Sequence, residues 1–180
     1  MNTCYHIYNH AIGTEDLFRD QGNYEYFLKK INKYLLYNSD LLSFCLMPNH
    51  FHLLISTEAP YESIKNQSTK MTISYAKSYN KLFNRMGSLF LRACKIKPIG
   101  GEVYTRTVIM YIHRNPIHHG FEHNYNGWMY SSYNDICTSN TEYVNISKTL
   151  AYFVDLSQFK LKHQEYKNNL PGMEDEMESY

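Results

Sequence analysis

The apolar positions along the first 136 residues alternate between strand-like and helix-like spacing. An apolar run at 5–12, rich in β-branched and aromatic residues, predicts a first strand. The apolar residues that follow recur every three or four positions, which predicts a helix capped at Gly22 or Asn23. The polar segment 38–40 predicts the end of that helix.

Two further apolar runs, at 41–47 and 52–56, are separated by a Pro48-Asn49 dipeptide and predict a β-hairpin with a tight turn. A long pattern of helical spacing at 61–86 follows the hairpin and stops at Gly87. Its predicted core positions are Ile64, Met71, Ile73, Tyr75, Tyr79 and Phe83.

The remaining pattern predicts one more strand and several helical or short ordered segments. Residues 89–96 are spaced as a strand, and residues 102–113 as a helix that is closed by Pro116 and Gly120. Two later stretches, 128–136 and 144–159, have the apolar content of short ordered elements.

The order β-α-β-β-α-β-α is typical of a ferredoxin-like split βαβ unit with an added helix. We therefore predict an α+β fold, a ferredoxin-like βαββαβ sandwich with an antiparallel sheet, and a single main domain at 1–136. Residues 137–170 are predicted to be an extension packed on that domain. The acidic residues 171–180 are predicted to be a disordered tail.

Targeting signals are not visible in the sequence. No basic segment followed by an apolar run opens the chain, and no apolar run approaches the roughly 18 residues of a membrane span. The four cysteines are far apart, without a CxxC pair, which favours reduced thiols. Together these features predict a cytoplasmic protein.

The charge of the chain is unevenly distributed. A formal net charge of +1 argues against a generic nucleic-acid binder. Between Lys70 and Arg114, however, there are nine basic residues and one acidic residue, Glu102. This segment would attract a polyanion. The same charges are equally typical of a solvated helix face, so charge alone leaves the two interpretations open.

The His50-Phe51-His52 tripeptide opens the second strand of the predicted hairpin. Side chains alternate across a strand, so both imidazoles point to one face while Phe51 is buried on the other. Two histidines on one face can bind one metal ion. Histidine pairs on surface strands are common, so this tripeptide alone is weak evidence for a metal site.

A second constellation lies between Tyr111 and Asn115. On a helix, a spacing of four places the tyrosine hydroxyl and the asparagine amide on one face. Asn115 could then complete the metal site, although Pro116 biases it away from helical geometry. A tyrosine at a helix boundary is also typical of a core position.

Taken together, three segments in order and spacing resemble the REP-associated tyrosine transposases, a branch of the HUH single-strand transposases. They are Met47–His52, Tyr111–Pro116 and Trp128–Tyr133. The resemblance implies that His50 and His52 are paired metal ligands and that Asn115 completes the coordination. It also implies that Tyr111 is the nucleophile, carried on the added helix of a βαββαβ core.

The resemblance further implies a divalent cofactor, Mg²⁺ or Mn²⁺, and cleavage of single-stranded DNA that contains imperfect hairpins. Cleavage would proceed through a 5′-phosphotyrosine intermediate that allows strand transfer. A monomer is expected rather than a dimer. The chain departs from the family pattern at 117–120, which bears on DNA contacts rather than on the chemistry.

Charge, and not a matched motif, locates the predicted contacts with the DNA backbone. These residues are Lys77, Lys81, Arg85, Arg92, Lys95, Lys97 and Arg114. His113, His118 and His119 are expected to crowd the same region, where they could contact phosphate or tune the metal, although we expect them to be bystanders.

Three other classes of protein fit parts of the pattern. A domesticated protein could keep the fold and bind hairpin DNA without cutting it. An RNA-binding module could share the βαββαβ topology, but the aromatic motif of such modules is not found. A zinc hydrolase could use His50 and His52, but neither an HExxH motif nor a carboxylate at ligand spacing accompanies them.

Overall fold

Four strands form one antiparallel sheet in the computed structural model, which describes residues 2–166. The sheet order is β2-β3-β1-β4, with β1 and β3 in the centre. The strands are β1 (Thr3–His10), β2 (Ser39–Met47), β3 (His50–Thr57) and β4 (Lys95–Ile99). The helices are α1 (Gln21–Tyr34), α2 (Tyr61–Leu82), α3 (Glu102–His118), α4 (Ser132–Thr138), α5 (Ile146–Ala151) and α6 (Leu156–Glu165). The predicted α+β fold and βαββαβ order are confirmed.

The two faces of the sheet pack against different helices. On β3, Phe51 points to α1 and α2, where its ring lies 4.9 Å from that of Phe27, which in turn lies 4.9 Å from that of Tyr75. The alternating residues His50 and His52 point to the opposite face, which α3 covers. The period-two alternation of the strand thus separates an aromatic core from a polar layer.

The first two helices differ from the prediction in detail. Asp20, and not Gly22 or Asn23, caps α1, because its carboxylate accepts a hydrogen bond from the Asn23 backbone N–H at 3.0 Å. The long helix α2 ends at Leu82, earlier than predicted. Ile73, predicted to be a core residue, is half-exposed. Helical spacing identifies a broad stripe of apolar positions on α2, and packing against α1 decides which of these positions are buried.

The fourth strand begins at Lys95, so the prediction of a strand at 89–96 is wrong in its position. Residues 89–91 form only an isolated bridge at the end of β1, between Phe90 and Ala11. Hydrogen bonds join Ile12 to Leu89 and Leu91 to His10. The regular ladder to β1 covers 95–99. It includes Pro98, which is tolerated because β4 is an edge strand.

Helix α3 continues through Pro116 to His118, so the predicted helix end at His113 is wrong. Proline removes one backbone hydrogen bond in a helix interior. Only two residues of the helix follow Pro116, so a bend at the proline redirects little of α3. Pro116 is also buried, and its carbonyl accepts hydrogen bonds from the backbone of Phe121 and Glu122.

The described part of the segment after residue 136 contacts both β2 and α3. The Thr149 hydroxyl donates to the carbonyl of Leu42 at 2.8 Å. On α3, His113 is hydrogen-bonded to His163 of α6 at 2.9 Å and to Ser132 at 2.8 Å. The division of the chain into 1–136, 137–170 and 171–180 stays a prediction, and the acidic tail lies outside the described residues.

No helix within residues 2–166 combines the length and the apolarity needed to cross a membrane. The four cysteines are free thiols, of which Cys4 and Cys45 are buried.

Buried histidines are expected to make folding sensitive to mild acid. Burial lowers the pKa of His6 and His50 to about 3 and that of His163 to about 4, and it lowers the pKa of His52 and His113 well below its usual value. In the unfolded chain these histidines take up protons near their ordinary pKa of about 6.5. Protonation therefore stabilises the unfolded state below that pH.

We therefore expect full stability above about pH 6.5, and below it a loss of roughly 1.4 kcal/mol per pH unit for each such histidine. Urea unfolding between pH 7.5 and 5, in EDTA, measures this dependence. The exposed His123→Ala variant should show the same slope as the wild type. An unfolding free energy that is constant over this range would contradict the prediction.

Candidate active site

Two histidines at the start of β3 form the floor of an open cavity of about 520 Å³. His50 and His52 are 3% and 2% exposed, and Phe51 is buried on the other face, as strand alternation predicted. The lining residues come from β1, the β2–β3 turn, β3, α3 and the loops beside them. They are His10, Ala11, Gly13, Asn49, His50, His52, Leu91, Tyr111, His118 and His119.

His50 lies between two amide oxygens. Its Nδ1 is 2.8 Å from Oδ1 of Asn49, and its Nε2 is 3.2 Å from Oδ1 of Asn115. Burial first, and then the neighbouring His10 and His119, lower the pKa of His50 to about 3, so the ring is neutral at pH 7. A neutral imidazole carries one N–H and can donate to only one of the two oxygens.

The orientation of Asn115 is fixed by its own helix, because its Nδ2 donates to the carbonyl of Tyr111 at 3.1 Å. Its Oδ1 therefore points at His50. When the His50 hydrogen is on Nδ1 and donates to Asn49, two lone pairs face each other, one on His50 Nε2 and one on Asn115 Oδ1. Such a pair of facing lone pairs fits a cation held between an imidazole and an amide.

His52 is oriented from the neighbouring strand. Its Nδ1 is 3.0 Å from Nε2 of His6. This leaves Nε2 of His52 as the nitrogen that can coordinate a metal ion. Burial first, and then His6 and His50, lower the pKa of His52 well below its usual value. The ring is therefore neutral at pH 7 and able to bind a metal ion through nitrogen.

Tyr111 lies on α3, half-buried at the wall of the cavity. Its ring is nearly perpendicular to that of His52, with 5.6 Å between the ring centres. Asn115 lies one helical turn further along α3 and contacts His50. The four residues proposed from sequence for the chemistry are thus brought into one place, although 65 residues separate His50 from Asn115.

Strand β1 contributes residues to this site that were not predicted from the sequence. His6, Tyr8 and His10 are on the same face as the histidine pair, opposite Leu54, His52 and His50 respectively. The His10 ring stacks on that of His50 at 4.5 Å. Their period-two spacing was visible in the sequence, but only the pairing of β1 with β3 shows that they belong to this site.

The three histidines expected to be bystanders lie in two different places. His118 and His119 line the cavity, and the ring of His119 is 4.9 Å from that of His50. His113 is fully buried and hydrogen-bonded to Ser132 and His163, away from the cavity. The expectation that all three crowd one region is therefore wrong, because one helix presents them on different sides.

The basic residues predicted to contact DNA differ in their surroundings. Lys95 and Lys97 are opposite Tyr8 and His6 across the β1–β4 ladder, and therefore lie on the histidine face. Lys77 and Lys81 are exposed on α2, which packs on the other face of the sheet. Arg92 is exposed in the segment before β4.

The two remaining arginines make internal contacts. Arg85 forms an ion pair with Glu15 at 3.1 Å and donates to the carbonyl of Ser88. Arg114 donates to the carbonyl of Tyr166 at 2.9 Å. Both therefore connect distant parts of the chain within the folded protein.

A ferredoxin-like sheet with a histidine pair on a central strand, covered by a helix that carries a tyrosine, is the arrangement expected of a tyrosine transposase. The chain belongs to the IS200-like transposase family, because the family model described as "Transposase IS200 like" matches residues 2–115. None of the curated proteins matches the chain.

Among solved structures, the chain is similar to one described as "Structure of the REP associates tyrosine transposase bound to a REP hairpin". The TM-score is 0.65, the sequence identity is 12%, and the match covers 76% of this chain and 79% of that chain. At this identity the likeness shows the shared fold. That protein is bound to a REP hairpin.

Proposed function

We propose that this protein is a metal-dependent endonuclease and strand transferase that acts on single-stranded, hairpin-containing DNA. The observation that carries the proposal is that Tyr111, His50 and His52 line one open cavity and that Asn115 contacts His50 beside it. Membership of the IS200-like transposase family supports it. The hairpin substrate is proposed from the fold relative, which was solved with a REP hairpin.

His50, His52 and Asn115 are the residues that would hold a divalent cation, Mg²⁺ or Mn²⁺. Bound there, the cation would supply charge neutralisation at the scissile phosphate. Among residues 2–166, no three His, Cys, Asp or Glu side chains are grouped as a metal site. The proposed ligand set therefore depends on the Asn115 amide oxygen in addition to the two imidazoles.

Tyr111 is the proposed nucleophile. Its Oη would form a bond to phosphorus while the bond from phosphorus to the 3′ oxygen breaks, giving a 5′-phosphotyrosine and a free 3′-hydroxyl. The phenol proton is released and the leaving oxygen takes up one proton, so the number of protons is unchanged. Because one phosphodiester replaces another, attack by a 3′-hydroxyl can reverse the step and join strands.

The nucleophile and the histidine pair belong to the same chain. The Tyr111 ring is 5.6 Å from that of His52, and α3 packs directly on β2 and β3. One protein molecule thus supplies all four of the proposed residues. This supports the proposal that the protein acts as a monomer.

The experiment that tests the function is incubation of the protein with a labelled single-stranded DNA hairpin from repeats that flank its gene. Reactions contain Mn²⁺, Mg²⁺ or EDTA and are analysed on a denaturing gel. We expect a covalent protein–DNA adduct and a shortened strand with a free 3′-hydroxyl only when metal is present. Tight binding with no adduct in any metal would instead identify a domesticated hairpin-binding protein.

DNA-backbone contacts are proposed for all seven basic residues, with unequal effects. We expect Lys95→Ala/Lys97→Ala to weaken hairpin binding by roughly 10-fold and to reduce the salt dependence of binding, because both side chains are on the site's face. The matched pair Lys77→Ala/Lys81→Ala should have a smaller effect. Fluorescence polarisation over a salt series measures both, and equal losses would contradict this assignment.

A further inference from the structure

His6 is a fully buried histidine on the central strand β1, two residues before Tyr8. Its ring stacks on that of His52, with 5.2 Å between the ring centres and 22° between the planes. Its Nε2 is 3.0 Å from Nδ1 of His52. The centre of the Tyr111 ring lies 6.3 Å from that of the His6 ring, with the two planes at 77°. His6 therefore contacts the proposed metal-binding histidine and is close to the proposed nucleophile.

The hydrogen bond between the two imidazoles can be made in two ways. Either His52 donates from Nδ1 to His6, or His6 donates from Nε2 to His52. In the first case His52 keeps the lone pair on its Nε2. In the second case the single hydrogen of a neutral His52 must be on Nε2, where it prevents coordination of a cation. The direction of this hydrogen bond thus decides whether His52 can be a ligand.

Among the described residues, the hydrogen bond with His52 is the polar contact that the His6 ring makes, beside its stack on the Tyr8 ring. The other ring nitrogen of His6, Nδ1, is buried and has no hydrogen-bond partner among residues 2–166. Opposite His6 on β3 is Leu54, and its neighbour along the strand, Ile7, is a core residue. A buried polar atom without a partner is unfavourable. An apolar residue would fill this place more favourably, so the polar contact with His52 is what the imidazole contributes.

We propose that His6 is a positioning residue that accepts a hydrogen bond from Nδ1 of His52 and so presents Nε2 of His52 to the divalent cation. The inference rests on the proposed metal site. Partners of this kind, which hold the second nitrogen of a ligating histidine, fix the orientation and the tautomer of the ring. No proton is consumed, because the role requires only the choice of which nitrogen carries the hydrogen.

The test measures Mn²⁺ binding to the DNA-free protein by electron paramagnetic resonance, for the wild type, His6→Phe and His6→Gln. Phenylalanine fills the space without a hydrogen-bond acceptor. We therefore expect the Kd of His6→Phe for Mn²⁺ to be roughly 10- to 100-fold higher than that of the wild type. Glutamine can place its amide oxygen near the position that Nε2 of His6 occupies, and it should restore much of the affinity for Mn²⁺. Cys4→Ala, a buried change on the same face of β1, controls for a loss of packing.

Thermal unfolding in EDTA shows whether each variant is folded, and a second measurement needs no variant. With ¹⁵N-labelled histidine and saturating Mg²⁺, the two-bond couplings of His52 should report its hydrogen on Nδ1. A hydrogen on Nε2 would overturn the inference, as would equal Mn²⁺ affinity in the wild type and His6→Phe. If the wild type itself binds no Mn²⁺, the proposed metal site is wrong and the role of His6 is lost with it.

Discussion

Replacing Tyr111 with phenylalanine is expected to abolish the covalent protein–DNA adduct, with a loss of at least about 10³-fold in strand cleavage. The substitution removes one oxygen atom and keeps the ring that packs near His6 and His52. Folding and hairpin binding should therefore stay close to wild type. Adduct formation is measured on denaturing gels with labelled hairpin DNA and Mn²⁺, and binding is measured by fluorescence polarisation.

The matched control is Tyr104→Phe, a half-exposed tyrosine on the same helix. It should form adduct at the wild-type rate, because α3 presents it two turns away from Tyr111. An adduct that persists in Tyr111→Phe would show that another residue is the nucleophile. Loss of adduct in both variants would indicate a general effect on α3 rather than the loss of a reacting oxygen.

Removing either histidine of the pair should produce the second large effect. We expect His50→Ala and His52→Ala each to lose Mn²⁺ binding and to reduce adduct formation at least about 100-fold, because charge neutralisation at the phosphate contributes several kcal/mol. Binding of the intact hairpin in EDTA should change little. The pair of measurements therefore separates a defect in chemistry from a defect in DNA binding.

His123→Ala is the control for this prediction, since His123 is exposed and does not line the cavity. Its metal dependence should equal that of the wild type. Metal-stimulated cleavage that survives both His50→Ala and His52→Ala would exclude this pair as the metal site.

The structure also bears on the RNA-binding and zinc-hydrolase alternatives. In an RNA-recognition sheet the aromatic side chains of the central strands are exposed for stacking on bases. Here the corresponding face of β1 and β3 carries histidines and is covered by α3, with Tyr8 fully buried. A zinc hydrolase would need a third strong ligand, and among residues 2–166 no three His, Cys, Asp or Glu side chains are grouped as a metal site.

Local patterns predicted the elements well and their ends less well. The turn at Pro48-Asn49 and the two strands beside it form as expected, because hairpin signals are contained in a few adjacent residues. The strand at 89–96 and the helix end at His113 were wrong. For the strand, the deciding contacts are distant in sequence, between β1 and β4. For the helix, they lie just beyond its end, where the Pro116 carbonyl accepts hydrogen bonds from the backbone of Phe121 and Glu122.

The candidate site was also predicted only in part from local sequence patterns. The sequence by itself placed His50 and His52 on one face and Tyr111 and Asn115 on one side of a helix, because these relations follow from the periods of strand and helix. It also indicated the basic character of the middle of the chain. It did not reveal that Lys77 and Lys81 lie on the opposite side of the sheet from Lys95 and Lys97.

Only the tertiary structure decided which strand lies beside β3 and which helix covers it. The pairing of β1 with β3 brings His6 and His10 to the histidine pair, and the packing of α3 brings Asn115 to His50. Strand and helix periods are properties of a few neighbouring residues and can be read directly. Register and packing depend on contacts among the whole set of buried side chains, so the complete site exists only in the folded chain.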